Sequence, residues 1–97
     1  MAQQARGTVP GLHNRHRATL YALSTCIWCR KTRQFLEDNQ VGFDYIYVDL
    51  LIGPEREQAL GQVGKWNPAM SFPTLVVDDS DSVVGADLEA IKEMLEL

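Results

Sequence analysis

Thr19-Leu20-Tyr21-Ala22-Leu23-Ser24-Thr25-Cys26-Ile27-Trp28-Cys29-Arg30-Lys31 decides how the rest of the chain is read. Its first five residues are a short run without charge, the pattern of a buried strand. The pattern then changes. Ile27, Trp28, Arg30, Lys31, Phe35 and Leu36 recur at helical spacing, the helix is expected over Trp28–Asn39, and Gly42 marks its end. Two cysteines therefore stand where a buried strand gives way to a helix. Cys26 falls at the helix N-terminus, where unpaired N–H groups and the positive dipole end stabilise an anion. Arg30, Lys31 and Arg33 add positive charge nearby. A thiolate is the nucleophile of disulfide exchange, and such surroundings favour it. Cys29 lies one turn further in, less exposed and within reach of Cys26. The expected division of labour is that Cys26 attacks and Cys29 resolves the mixed disulfide.

Outward from this junction, strands and helices alternate. Phe43–Val48 (FDYIYV) is aromatic and β-branched, a strong strand signal. Pro54 suits the first turn of a second helix that runs to about Lys65, with Leu51 and Ile52 packing ahead of it. Thr74–Val77 (TLVV) is a third strand, Asp78–Ser82 (DDSDS) a turn, and Val83–Val84 a short fourth strand closing a hairpin. Asp87 can cap a last helix to about Glu96, with Leu88, Ile91, Met94 and Leu95 on its buried face. The order β-α-β-α-β-β-α over residues 18–97 predicts an α/β fold. Its four-stranded mixed sheet has parallel first strands, an antiparallel last pair, and helices on both faces. Residues 1–17 mix Gln, Gly, Pro, His and Arg without a sustained period and read as a flexible head.

The chain has 97 residues, 45% apolar and 23% charged, enough for one folded domain. The head carries Arg6, Arg15 and Arg17 and no acid. From residue 18 onward six Lys or Arg face thirteen Asp and Glu, a balance of −7. A body that acidic repels phosphates, which argues against a nucleic-acid partner. Residues 1–17 hold no apolar run like that of a secretory signal, and nothing approaches the ~20 apolar residues of a membrane span. A reducing cytoplasm is the expected compartment, where a cysteine pair is catalytic or metal-binding more often than a structural staple.

Zinc is the competing reading of the cysteines. His13 and His16, spaced H-x-x-H, complete four ligands on paper. Their spacing is shorter than the usual one, and nine residues, five of them in a strand, separate His16 from Cys26. No metal site is therefore expected. The other informative segment is Ser71-Phe72-Pro73-Thr74. Proline is tolerated at a strand's start, and a cis bond there would leave Phe72's N–H and C=O open to an extended substrate, which could add as a short strand. Sequence alone favours a trans bond.

Three features in order make residues 18–97 resemble a glutaredoxin of the dithiol C-x-x-C type: Cys26-Ile27-Trp28-Cys29, Phe72-Pro73-Thr74, and Gly85-Ala86-Asp87 before the last helix. The resemblance implies a thioredoxin-like fold with strand order 2-1-3-4, the third strand antiparallel to the first, and a cis Pro73. It implies that Cys26 forms a mixed disulfide with glutathione, that Trp28 lines the groove, and that Phe72's backbone pairs with the cysteinyl unit. Ala86 and Asp87 would meet the γ-glutamyl end. Many members carry Lys where Leu23 stands, and Lys65 could supply the missing cation. Ala86 replaces a common glycine and Ile27 a common proline, departures that bear on glutathione specificity more than on dithiol chemistry. Trp66-Asn67-Pro68 would form either a substrate-facing wall or a packed loop.

The implied activity is reduction of protein or glutathione mixed disulfides by a cytoplasmic monomer. It would have no bound cofactor, glutathione as co-substrate and a reductase system behind it. Two alternatives stay open. One is an electron donor reduced by a thioredoxin-type reductase, serving for instance ribonucleotide reductase. The other is a metal or iron–sulfur module.

Overall fold

Ala18–Ala22 lies at the centre of a sheet covered on both sides, which is why it reads as a nearly continuous apolar run. The computed structural model describes residues 4–97. Its elements are β1 (Arg6–Val9), β2 (Ala18–Ala22), α1 (Ile27–Asp38), β3 (Phe43–Tyr47), a 3₁₀ turn (Val48–Leu50), α2 (Pro54–Trp66), β4 (Thr74–Val77), β5 (Asp81–Val84) and α3 (Leu88–Met94). β2 pairs parallel with β3 and antiparallel with β4, and β4 pairs antiparallel with β5.

Alternation along the strands divides the core. Ala18, Leu20 and Ala22 of β2, with Leu75 and Val77 of β4, meet Leu36 of α1 and Ile91 of α3. Tyr21 and Val76 point the other way, onto Ala59 and Val63 of α2. Leu20, Leu36 and Ile91 are sealed from solvent, and each such side chain contributes about 1.5–3 kcal/mol of burial free energy. Helices thus cover both faces, as expected. None is long and apolar enough to cross a membrane among the described residues.

The sheet has five strands, not four, in the order β1-β3-β2-β4-β5. The inner four follow the expected order, and the addition comes from the segment expected to be a flexible head. Arg6–Val9 pairs antiparallel with β3, Thr8 donates a hydrogen bond to Asp44 at 2.6 Å, and Ala5's carbonyl accepts from the Tyr47 N–H. The following loop lies on the end of α1: the His13 N–H donates to Gln40's carbonyl and the Gly42 N–H to His13's, both at 2.9 Å. Gly11 permits this, because a Cβ there would fall on the backbone of Val41 and Gly42. Residues 1–3 of the expected head lie outside the described residues. A smaller correction concerns Leu51 and Ile52. Leu51 is buried, but Ile52 points into solvent at 80% exposure.

Candidate active site

β2 ends at Ala22, and the chain turns once before α1. The Cys26 N–H closes the turn onto Leu23's carbonyl at 3.2 Å, and Cys26 becomes the N-cap of α1 with an extended backbone. A sulfur stands here where Ser or Asp usually caps a helix. The Cys29 N–H donates to Cys26 Sγ at 3.3 Å. Asp49, in the turn after β3, clasps the loop from below: Ser24 donates its N–H to one oxygen at 2.9 Å and its hydroxyl to the other at 2.5 Å. Partial burial opposes Asp49's charge, but the two bonds from Ser24, Asp49's own main-chain N–H and the Arg56 charge together hold the carboxyl below its usual range.

The two thiols differ sharply. Cys26 is partly exposed and Cys29 is 2% exposed; both are free cysteines. Burial first, and then the Cys26 sulfur beside it, push the Cys29 thiol far above its ordinary value. Around them α1 spreads its charges. Arg30 and Lys31 are exposed, with Lys31 Nζ 4.8 Å above the Trp28 ring. Arg33 is otherwise engaged: it donates to Glu37 at 2.8 Å and to the Tyr47 hydroxyl at 2.6 Å, and lies 4.4 Å over the Tyr45 ring. Trp28 and Ile27 are 56% and 59% exposed, an apolar rim beside the Cys26 sulfur.

The Phe72–Pro73 peptide is cis. Phe72 packs with Cys26 against the cluster that holds Cys29, and its N–H and C=O take no part in the backbone bonding of the described residues. Pro73 is buried, and its carbonyl accepts from the Gly85 N–H at 2.8 Å, which joins the second and third resemblance segments. Gly85 has φ +83°, a conformation that favours glycine. Asp87 caps α3 with its own carboxylate, accepting from the Ala90 N–H at 3.1 Å, and Ala86 is half-buried before it. Lys65 stands on the last turn of α2, 5.7 Å over Trp66, and does not line the groove beside Cys26.

Two further residues organise the site. One is Asp49, passed over as a functional candidate. The other is Asn67, weighed only within the Trp66-Asn67-Pro68 segment; it is 4% exposed, and its amide donates to Ser71's carbonyl, Ser71's hydroxyl and Thr74's hydroxyl at 2.9–3.1 Å. It secures the loop into Pro73. Trp66, the last residue of α2, is half-buried against the cluster that holds Val63 and Val76. The four ligands weighed for zinc are not gathered together. His16 is engaged by Asp78 and Glu96 at 2.7 Å each, and no cluster of three or more His, Cys, Asp or Glu among the described residues could hold a metal.

Comparison with known proteins agrees with this geometry. The family model described as Glutaredoxin matches residues 18–81. A glutaredoxin of Methanosarcina mazei Go1 has 41% identity and TM-score 0.91, with 98% of this chain and 91% of that chain covered. A methanoredoxin of Methanosarcina acetivorans has 41% identity and TM-score 0.86, covering 90% of each chain. The gene 56 protein of Mycobacterium phage D29 is 30% identical over 78 residues, 80% of this chain and 81% of that protein. The chain belongs to the glutaredoxin family and is a thiol–disulfide oxidoreductase.

Proposed function

We propose that Cys26 is the nucleophile and Cys29 the resolving thiol of a dithiol exchange that reduces protein disulfides and glutathione mixed disulfides. The observation that carries the reading is the asymmetry of the pair. One sulfur caps a helix, reaches solvent and accepts an N–H; the other is sealed and held as a thiol. Cys26 attacks a substrate sulfur, the S–S bond breaks, and one thiolate leaves. Cys29 passes its proton to that thiolate, attacks Cys26 Sγ and releases the second. The protein ends as a Cys26–Cys29 disulfide, two electrons poorer. Trp28 walls the site, and Phe72's open main chain pairs with an extended substrate beside Cys26.

Glutathione is the proposed source of electrons, and Ala86, Asp87 and Lys65 its proposed outer contacts. The compartment is a reducing cytoplasm, and the working unit is a monomer. A second reading has a specific motive. Leu23 offers no cation beside Cys26, and Asp87's carboxylate already caps α3, so a thioredoxin-type reductase is the alternative donor. Turnover of hydroxyethyl disulfide is measured with glutathione plus glutathione reductase, then with thioredoxin reductase alone. Activity only in the first supports glutathione, activity only in the second supports the alternative, and silence in both overturns both.

A further inference from the structure

We infer that the groove beside Cys26 is a subsite for a carboxylate carried close to the substrate's disulfide, read by Arg30. The inference rests on Cys26 being the nucleophile. A groove of about 380 Å³ runs along α1 from Leu23, Ser24 and Cys26 past Arg30 to Arg33 and Tyr47, with Gln34 and the Glu37 carboxylate at its far end. Arg30 follows Cys26 by four residues, so its side chain rises on the same helix face as the sulfur. None of Phe72, Pro73, Ala86 and Asp87 lines this groove; of the positions the family resemblance ties to glutathione it shares Cys26 and the uncharged Leu23, and its cations, Arg30 and Arg33, are not among them.

The donors in the groove are unequally occupied. Ser24's hydroxyl is spent on Asp49, and Arg33's charge is answered by Glu37. Arg30 has no ion-pair partner among the described residues. The Tyr47 hydroxyl accepts from Arg33, which leaves its own proton to donate. One uncompensated guanidinium and one phenolic O–H therefore converge beside a reactive sulfur, on a body that is otherwise acidic. A guanidinium's planar fork of donors matches a carboxylate.

In the step this subsite serves, the Cys26 thiolate attacks the nearer sulfur of an acidic disulfide. The S–S bond breaks and the carboxylate-bearing thiolate leaves, taking the proton that Cys29 gives up. Cys29 then displaces the second acidic thiolate, and the two electrons lost by the protein reside on the substrate thiols.

The test is single-turnover oxidation of the pre-reduced protein by dithiodipropionate, hydroxyethyl disulfide and cystamine, each rate divided by that with a free small thiol. Wild type is expected to favour the diacid, and added salt to erode the preference. Arg30→Gln is expected to slow the diacid about tenfold more than the neutral disulfide, the scale of a hydrogen bond to a charged group. Disulfide-linked peptides with Glu or Gln beside Cys separate the sources. Selectivity confined to the diacid assigns a small acidic thiol; selectivity confined to the Glu peptide assigns an acidic protein segment. An Arg30→Gln variant that slows every disulfide equally, or none, overturns the subsite. Failure of wild type to react with hydroxyethyl disulfide overturns the assignment of Cys26 and the subsite with it.

Discussion

Asp49 grips Ser24 with both carboxylate oxygens, two residues ahead of Cys26. The clasp sets where α1 begins, because the Ser24 main chain and the Cys26 N–H bond to Leu23's carbonyl belong to the same turn. Asp49→Ala removes both acceptors and leaves Ser24's donors half-buried. It is expected to lower stability by about 1–3 kcal/mol and to slow exchange about tenfold through loss of positioning. Ser24→Ala, which keeps the N–H bond, is expected to do less of both. Thermal melts and single-turnover rates check the pair; a wild-type rate in Asp49→Ala would show that the turn holds without the clasp.

Asn67 plays the same part for the Pro73 loop. Its buried amide serves Ser71 and Thr74 together, and its carbonyl accepts from the Ala69 N–H at 3.2 Å. Asn67→Leu fills the space but strands those partners, at an expected cost of about 1–3 kcal/mol. Because Phe72 and Pro73 lie within this loop, KM for a protein disulfide should rise more than kcat falls. An unchanged KM in a folded Asn67→Leu protein would separate the loop from substrate binding.

The strand-to-helix junction that carries the two cysteines was legible because its signals are local. An apolar run, a change of period and two cysteines sit within a dozen residues, and Pro73 and Gly85 punctuate strands beside them. What stayed hidden depends on contacts distant in sequence. Arg6-Gly7-Thr8-Val9 offers one apolar side chain, too little for a strand signal, and pairs because β3 presents an open edge. Gly7 leaves room for the Tyr45 ring, and Gly11 for the Val41–Gly42 backbone. Asp49 reaches Ser24 across 25 positions; nothing in its neighbours distinguishes it from a solvated acid. Ile52 and Leu51 form an equally apolar pair, and only the path of the turn into α2 decides which is buried.

His16 joins three distant segments. Its Nδ1 lies 2.7 Å from Asp78 and its Nε2 2.7 Å from Glu96, while beside it the Arg17 N–H donates to the Asp78 carboxylate and the Asp78 N–H to Arg17's carbonyl. Carboxylates only accept, so both ring nitrogens must donate and the clasp requires imidazolium. The bonds to Asp78 and then Glu96 raise the His16 pKa, and His16 in turn lowers both acids. A raised folded value means stability present below the unfolded His value and lost as pH rises through the folded one. The lowered acids contribute stability above the unfolded carboxylate range, lost as pH falls through their folded values. The melting-temperature gap between wild type and His16→Gln should therefore be widest between about pH 5 and 6, and narrow as pH rises above the unfolded His value of about 6.5. A gap independent of pH would mean that the neutral ring packs equally well.

Cys29's environment makes the role assignment testable without any substrate. Burial and the adjacent Cys26 sulfur keep its proton in place, so alkylation of the native protein should label Cys26 and spare Cys29 well past neutral pH. Cys26→Ser should abolish all exchange. Cys29→Ser should lose reduction of protein disulfides but retain a glutathione-dependent monothiol reaction, because the first attack needs only Cys26. The same variant cannot resolve its mixed disulfide, so mass spectrometry of Cys29→Ser recovered from cell extract should find a partner on Cys26. Glutathione there would support the proposed donor, and a protein would identify a substrate. If Cys29 is labelled first, or Cys26→Ser retains exchange that Cys29→Ser lacks, the sealed sulfur is the nucleophile and the assignment is reversed.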